Sequence, residues 1–208
     1  MSLPGFNSME DRTKDTKLDT PATEEQIFAV TVGAPKLLNS TIYLAPYDPN
    51  WSSLFAQLAR QIRSALGDRA LLLEHVGSTS VPGLSAKPRI DMVMAVADSG
   101  NEASYVPALE EIGYTLKIRE PDWYQHRVLN PPGIPGNLHV FSQGCEEIQQ
   151  MILFRDWLRN HPDDRLLYEQ TKRDLATRTW KYVQNYADAK TKVVQEILVR
   201  AHYNQGLG

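Results

Sequence analysis

Residues Glu74–Val96, EHVGSTSVPGLSAKPRIDMVMAV, contain two apolar segments joined by a loop rich in glycine, serine and proline. Both segments are predicted to be β-strands, because each is a short apolar run bounded by turn-forming residues. Gly77 follows the first strand, and a residue without a Cβ lets another group approach the backbone closely. Asp91 places one carboxylate inside the second strand, where apolar packing alone does not require a charge. The stretch therefore predicts two strands of a sheet with polar groups at their end.

The Gly77-Ser78-Thr79 turn presents hydroxyl and N–H groups, and a concavity of N–H dipoles can hold phosphate oxygens. Strand alternation places Arg89 and Asp91 on one face. A carboxylate beside such a turn can bind the Mg²⁺ of a nucleoside triphosphate. Two alternatives stay open, because the turn can be only a turn and Asp91 can be the structural ion-pair partner of Arg89.

Composition and charge indicate a globular protein and limit its partners. The chain has 208 residues, of which 42% are hydrophobic and 23% charged, and its net charge of -3 does not favour duplex nucleic acid as a partner. Cys145 is the single cysteine and forms no internal disulfide, so a reducing cytosol is the expected compartment. No stretch approaches the roughly 18 apolar residues of a membrane helix. We therefore expect a cytoplasmic protein that does not enter the membrane.

The chain is predicted to divide into a tail and one domain. Residues 1–25 are polar, mixed in charge and poor in aromatic side chains, which is typical of a disordered segment. Residues 26–208 are predicted to form a single domain. Strands and helices alternate up to Gly144, and three helical segments with charged faces follow. This order predicts an α+β fold with a helical C-terminal part.

Two elements are predicted ahead of the opening stretch. Thr41–Leu44 is predicted to be a short strand. A helix is predicted to begin at Pro49 with Asp48 as its N-cap, because apolar residues then recur at helical spacing up to Leu66. Common catalytic motifs are absent from the sequence, including the P-loop, G-x-G-x-x-G, H-E-x-x-H and G-x-S-x-G. The candidate site is therefore the stretch between the two predicted strands.

The block GSTSVPGLSAKP-x-ID, with NLHVF, LFRDWLR and YADAKTKVVQEIL in the same order, resembles the GrpB family of the nucleotidyltransferase-fold superfamily. The resemblance covers roughly Thr41 to Tyr203. It implies a small mixed β-sheet flanked by helices, with a Gly-Ser turn under the nucleotide phosphates. It also implies a D-x-D pair and a third carboxylate that hold divalent metal. GrpB-like domains also occur fused to dephospho-CoA kinase.

The resemblance assigns roles to individual residues. Gly77 and Ser78 match the Gly-Ser element, and Asp91 matches the second Asp of D-x-D, which makes it the candidate catalytic residue. Arg89 occupies the position of the first Asp, and His139 best matches the third carboxylate. The resemblance thus implies Mg²⁺ or Mn²⁺, weakly bound by Asp91 and His139, although a lone strand histidine can also be hydrogen-bonded structure.

Basic side chains complete the predicted phosphate site. Lys87 ends the loop just before the second strand, where it either binds phosphate or is a solvated surface charge. Arg127 can bind phosphate as a bidentate donor. Lys190 matches a lysine typical of the family, and Lys172 is a weaker candidate of the same kind.

Two classes of function follow from these residues. The first is a nucleotidyltransferase that moves a nucleotidyl group onto an unknown acceptor, which the Gly-Ser-Thr turn and Asp91 favour. The second is a non-catalytic module that binds a nucleotide or phosphorylated small molecule, or assists a protein partner. The incomplete carboxylate set favours the second class.

Overall fold

A computed structural model describes residues 21–205 of the protein. Within this range the α-helices are α1 (Glu24–Val30), α2 (Asn50–Leu66), α3 (Val106–Glu111), α4 (Glu146–Asn160), α5 (Pro162–Ala176), α6 (Val183–Asp188) and α7 (Thr191–Gln205). The strands are β1 (Leu72–Val76), β2 (Ile90–Val96), β3 (Thr115–Glu120), β4 (His126–Asn130) and β5 (Gly136–Ser142).

The five strands form one mixed sheet in the order β1-β2-β5-β4-β3. β2 and β5 run parallel, and the other neighbours are antiparallel. The parallel register places Asp91 opposite Asn137 and Val93 opposite His139. The prediction of an α+β fold, with a small mixed sheet flanked by helices and a helical C-terminal part, is confirmed.

Both faces of the central strands are buried. On one face, Met92 and Met94 of β2 pack with Leu58 and Ile62 of α2. On the other, Val93 packs with Phe141 of β5 and Ile148 of α4. Each large apolar side chain buried in this way contributes roughly 1.5–3 kcal/mol to stability. Burial on both faces explains why β2 is almost uninterrupted in its apolar character, and it makes Asp91 at its beginning more conspicuous.

The helix predicted to end at Leu66 is confirmed as α2. Gly67 follows it with φ +55°, and its N–H donates to the carbonyl of Arg63. The helix begins at Asn50 rather than Pro49, and Asp48 Oδ1 accepts a hydrogen bond from the Asn50 N–H at 2.8 Å. The N-cap is therefore Pro49 and not the predicted Asp48, although the Asp48 side chain still accepts from a free N–H at the helix start.

The strand predicted over Thr41–Leu44 is wrong. Isolated bridges instead join Ser40 to Trp180 and Ala45 to Ala86. Ile42 between them is buried against Leu175, Ala176 and Tyr186. The segment packs on the helical part instead of joining the sheet, which the local apolar pattern does not reveal.

The loop between β1 and β2 is held against the helical part. Its side chains Val81 and Leu84 are 1% and 0% exposed, and they pack with Leu158, Tyr168 and Ile197 from α4, α5 and α7. Arg159 also donates to the carbonyl of Ser80 through Nε and Nη2. The end of β1 and the beginning of β2 therefore face the C-terminal helices.

The tail prediction lies mostly outside the described residues, because residues 1–20 are not described. From Ala22 on, the chain makes defined contacts. The Ala22 N–H donates to Asp188 Oδ2 at 2.8 Å, and the Ala22 carbonyl accepts from Asn185 Nδ2. Thr23 and Gln26 form a capping box at the start of α1. The disordered tail stays a prediction. None of the described helices is long and apolar enough to cross a membrane.

Candidate functional site

A cavity of about 140 Å³ lies where the end of β1 and the beginning of β2 face α5 and α6. It is lined by Leu44, Ser78, Thr79, Lys87, Arg89, Asp91, Asn137, Lys172, Val183, Tyr186, Ala187 and Lys190. The fold thus brings together most of the residues that the sequence predicted as a site. A larger depression of about 570 Å³ between α3 and β3 is more open, and its Glu102 and Arg119 are already paired with each other.

Gly77 contacts the carboxylate of this site. Its φ of +68° and ψ of -174° are a backbone conformation that residues other than glycine rarely adopt. A Cβ at this position would lie 2.8 Å from Asp91 Oδ2. Ser80 Oγ donates to the Gly77 carbonyl at 2.6 Å and closes the turn. The turn and the carboxylate are therefore in direct contact.

The hydroxyls of Ser78 and Thr79 have different roles. Thr79 is buried, and its Oγ1 donates to the carbonyl of Arg89 at 3.1 Å. Because that bond uses the only hydroxyl proton, His75 Nε2, also 3.1 Å away, must be the donor to Thr79. Burial first, and then Arg159 and Arg155, lower the pKa of His75 to about 4, so its ring is neutral near pH 7. Thr79 ties the loop to β2, whereas Ser78 Oγ has no hydrogen bond within residues 21–205 and remains available to a ligand.

Asp91 is held by an amide rather than by a charge. Asn137 Nδ2 donates to Asp91 Oδ1 at 2.9 Å, and Arg89 Nη1 donates to Asn137 Oδ1 and to the Gly136 carbonyl, each at 3.0 Å. In the described part of the chain, Arg89 and Asp91 form no direct ion pair, so the structural ion pair considered from the sequence is not formed. Burial raises the pKa of Asp91, while the Asn137 hydrogen bond and the nearby charge of Lys190 oppose the rise.

Basic side chains surround the single carboxylate. Lys87 has its pKa lowered to about 8 by burial first and then by Arg89, with Asp91 opposing. Lys172 is 2% exposed, and burial first and then Lys190 lower its pKa to about 7. Its Nζ donates to the Ser85 carbonyl. These groups repel one another in a poorly solvated space, and an anion would relieve the repulsion.

Arg127 lies outside the cavity. Its cross-strand partner is Val140, which pairs with Met94 and faces α2, so Arg127 lies on the face opposite to Asp91. Its Nε donates to Glu102 Oε1 at 2.6 Å, and the side chain is buried. The prediction that Arg127 joins the phosphate-binding residues does not match this placement, because the pairing register of β4 decides which face it takes.

His139 shares the face of Asp91 but lies next to a different cluster. Its Nδ1 is 3.0 Å from His126 Nε2, and the two rings stack with centroids 5.2 Å apart. His126 Nδ1 is in turn 2.6 Å from Glu120 Oε2. In β5 it is Asn137, not His139, that pairs with Asp91. His139 therefore does not line the cavity that Asp91 lines, and the metal pair stays a prediction.

The residues of the cavity do not fit a two-metal centre. Asp91 is the single carboxylate among the lining residues, and four basic side chains line the same space. Two-metal phosphoryl transfer holds two cations about 3.5–4 Å apart, which requires several negative ligands. Among residues 21–205, no group of three or more His, Cys, Asp or Glu side chains is placed to hold a metal ion. The donor set of the cavity is suited to an anion.

Four polar lining residues are poorly predicted from the sequence. The sequence offers Arg89 as an ion-pair partner or as the residue at the first Asp position, offers Lys172 as a weak candidate, and does not indicate Asn137 or Tyr186 as site residues. Lys172 does have a signal in the sequence, because it falls on the apolar face of α5 together with Tyr168 and Leu175. The position of Asn137 depends on the register between β2 and β5, which no local pattern specifies.

A mixed sheet with a Gly-Ser turn beneath a strand carboxylate, flanked by helices, defines a nucleotidyltransferase-like fold. The profile of the GrpB protein family matches residues 41–200, and the chain belongs to this family. A UPF0157 protein of Halalkalibacterium halodurans is 55% identical over 189 residues, covering 91% of this chain and 97% of that protein. The crystal structure of the conserved protein GrpB from Enterococcus faecalis superposes with a TM-score of 0.68 at 27% identity, covering 78% of this chain and 99% of that one.

A third relative is longer than this chain. The dephospho-CoA kinase of Mycobacterium tuberculosis is 28% identical over an alignment of 216 positions, gaps included. The alignment covers 90% of this chain but 52% of that protein. The similarity therefore concerns about half of the kinase. This agrees with the fusion of GrpB-like domains to dephospho-CoA kinase that the resemblance to the GrpB family implies.

Proposed function

We propose that the cavity binds the phosphate group of a nucleotide or another phosphorylated small molecule, and that it does so without a divalent cation. The observation that carries this proposal is the excess of basic groups, since Lys87, Arg89, Lys172 and Lys190 line a space that contains one carboxylate. Burial disfavours the charged forms of Lys87 and Lys172. A phosphate dianion supplies the missing negative charge, and Ser78 Oγ adds a donor at the turn.

The size of the cavity limits what enters it. Ligand pockets for whole drug-sized molecules measure about 300–1,000 Å³. The volume here, about 140 Å³, accommodates a phosphate group rather than an entire nucleotide. The organic part of the ligand would therefore lie outside it, and the apolar lining residues Leu44 and Val183, the latter exposed, are available to contact it.

Asp91 gives the site a means of selecting phosphate. Its Oδ1 accepts from Asn137, and its Oδ2 has no hydrogen bond among the residues that the structure describes. A carboxylate and an anion repel each other unless a proton lies between them. The monohydrogen dianion of inorganic phosphate, or the monoanion of a phosphate ester, carries a proton that it can share with Asp91 Oδ2, whereas sulfate carries none at neutral pH. The site should therefore prefer phosphate to sulfate.

The binding role corresponds to the non-catalytic class of function. The cavity offers cationic donors for a phosphate, and no transfer step to an acceptor follows from its geometry. Similarity to about half of a protein named dephospho-CoA kinase supports a place close to the metabolism of phosphorylated molecules.

Titration calorimetry with inorganic phosphate, AMP and ATP, in the presence of a metal chelator, tests the proposal. We expect saturable binding of one phosphate group per chain that weakens as salt rises. Lys190→Met should weaken it about tenfold or more, because the variant removes a charge-assisted contact. Lys192→Met is the matched control, since Lys192 is exposed and does not line the cavity. Equal affinities of the two variants, or no binding by wild type at millimolar phosphate, would contradict the proposal.

A further inference from the structure

Tyr186 of α6 is one of the residues that line the cavity from the helical side. The residue is only 4% exposed, and its hydroxyl has no hydrogen-bond partner in the described part of the chain. A buried hydroxyl without a partner destabilises the folded state, so an unpaired one calls for an explanation. A ligand in the adjoining cavity supplies such an explanation.

The ring of Tyr186 is fixed from several sides. Its edge meets Trp180 with centroids 6.0 Å apart, and Lys190 Nζ lies 4.8 Å from the ring centroid. Ile42 and Leu175 pack with it in one apolar cluster. Burial raises the pKa of Tyr186, so its hydroxyl keeps its proton across the neutral range and acts as a donor. The side chain is therefore a rigidly held donor in the lining of a cationic cavity, with its hydroxyl oxygen sealed from solvent.

We propose that Tyr186 is a ligand-binding residue whose hydroxyl donates to an oxygen of the phosphate group in the cavity. This inference rests on the proposed function and adds to it a phosphate-binding residue from α6. Ser78 and Lys87 bind the phosphate from the sheet, and Lys172, Tyr186 and Lys190 bind it from the helices. The bound phosphate then links the sheet to the helical C-terminal part of the domain.

Tyr114 provides a matched control for this inference. It is 1% exposed, and its hydroxyl likewise has no partner among the described residues. Tyr114 belongs to the core that packs against α2 and does not line the cavity. The two tyrosines thus share the unpaired hydroxyl and differ in their position relative to the proposed ligand.

The experiment compares Tyr186→Phe with Tyr114→Phe in titrations with inorganic phosphate and in thermal unfolding. We expect Tyr186→Phe to weaken phosphate binding about tenfold or more, since it removes one hydrogen bond to an anion. Tyr114→Phe should bind as wild type does. Without phosphate, both variants should unfold at or above the wild-type temperature, because each loses an unpaired hydroxyl.

The possible failures separate the two proposals. If wild type binds phosphate, Lys190→Met weakens it and Tyr186→Phe binds as wild type does, the role of Tyr186 is wrong and the proposed function stands. A Tyr186→Phe protein that unfolds well below wild type without phosphate would show that the hydroxyl has a structural partner, which also overturns the inference. If wild type binds no phosphate, both proposals are wrong.

Discussion

Gly77 contacts Asp91, a residue that lines the cavity, because a Cβ on Gly77 would lie 2.8 Å from Asp91 Oδ2. Side-chain carbons do not tolerate so short a contact, and the positive φ of Gly77 adds a second reason for glycine. The turn and the strand carboxylate, which the sequence presents as separate features, therefore form one unit. Ser78, which follows Gly77 in the turn, and Asp91 line the same cavity.

Gly77→Ala should destabilise the fold more than a positive φ alone explains. Gly83 has a similar φ of +79° but open space around its Cβ position, so Gly83→Ala measures the backbone strain by itself. We expect a loss of about 1 kcal/mol for Gly83→Ala and about 2–3 kcal/mol for Gly77→Ala. Urea unfolding measures both. Equal losses would mean that Asp91 moves aside at no cost and that the contact is unimportant.

Asp91→Asn should abolish the preference for phosphate over sulfate while leaving the fold intact. Burial raises the folded-state pKa of Asp91, so its charge costs stability above that pKa, and the neutral amide should be at least as stable near neutral pH. Titrations of wild type and variant with both anions measure the preference. A variant that still discriminates would remove the proposed role of Asp91. Mn²⁺ or Mg²⁺ that raises the melting temperature of wild type but not of the variant would restore the metal-binding interpretation.

Much of the fold could be predicted because its signals are local. The apolar spacing in α2 gives its length to within one residue, and the unbroken apolar character of β2 reflects burial on both faces. The segment at Thr41–Leu44 is a case in which the local signal predicts the wrong element. Its apolar residues fit a strand equally well, but their partner is Leu175 in a distant helix.

The candidate site could be predicted only where it is contiguous in sequence. Gly77, Ser78 and Asp91 belong to one stretch and come together as predicted. Arg127 and His139 do not line the cavity, because the register of β4 and β5 decides their neighbours, and a shift of one residue changes the face of every side chain. Tyr186 comes from a helix whose docking no local pattern fixes.

Lys172→Met should raise stability near pH 7 and flatten its pH dependence. The folded-state pKa of Lys172, about 7, lies below its ordinary value of 10.5, with burial and Lys190 lowering it and Glu169 opposing. Between these values the unfolded state binds more protons, so wild-type stability rises with pH. Urea unfolding should show that the advantage of the variant shrinks by on the order of 2 kcal/mol from about pH 7 to about pH 9.

A pH-independent loss and an exposed control residue separate the charge of Lys172 from its other contacts. The variant also removes the hydrogen bond to the Ser85 carbonyl, a loss of about 1 kcal/mol that does not depend on pH. Lys192→Met, at an exposed position, should leave the pH dependence unchanged. A wild-type protein whose stability does not rise over this interval, or a Lys172→Met variant with the wild-type slope, would show that Lys172 is not a buried, destabilised cation.

The most direct test of phosphate binding is a crystal structure of the protein grown with inorganic phosphate and a metal chelator. We expect a phosphate between Ser78 Oγ and Lys190 Nζ, with one oxygen next to Asp91 Oδ2 and another within hydrogen-bond distance of the Tyr186 hydroxyl. Density for phosphate only elsewhere on the surface, or a cavity that holds phosphate only when Mg²⁺ or Mn²⁺ is added and coordinated by Asp91, would contradict it.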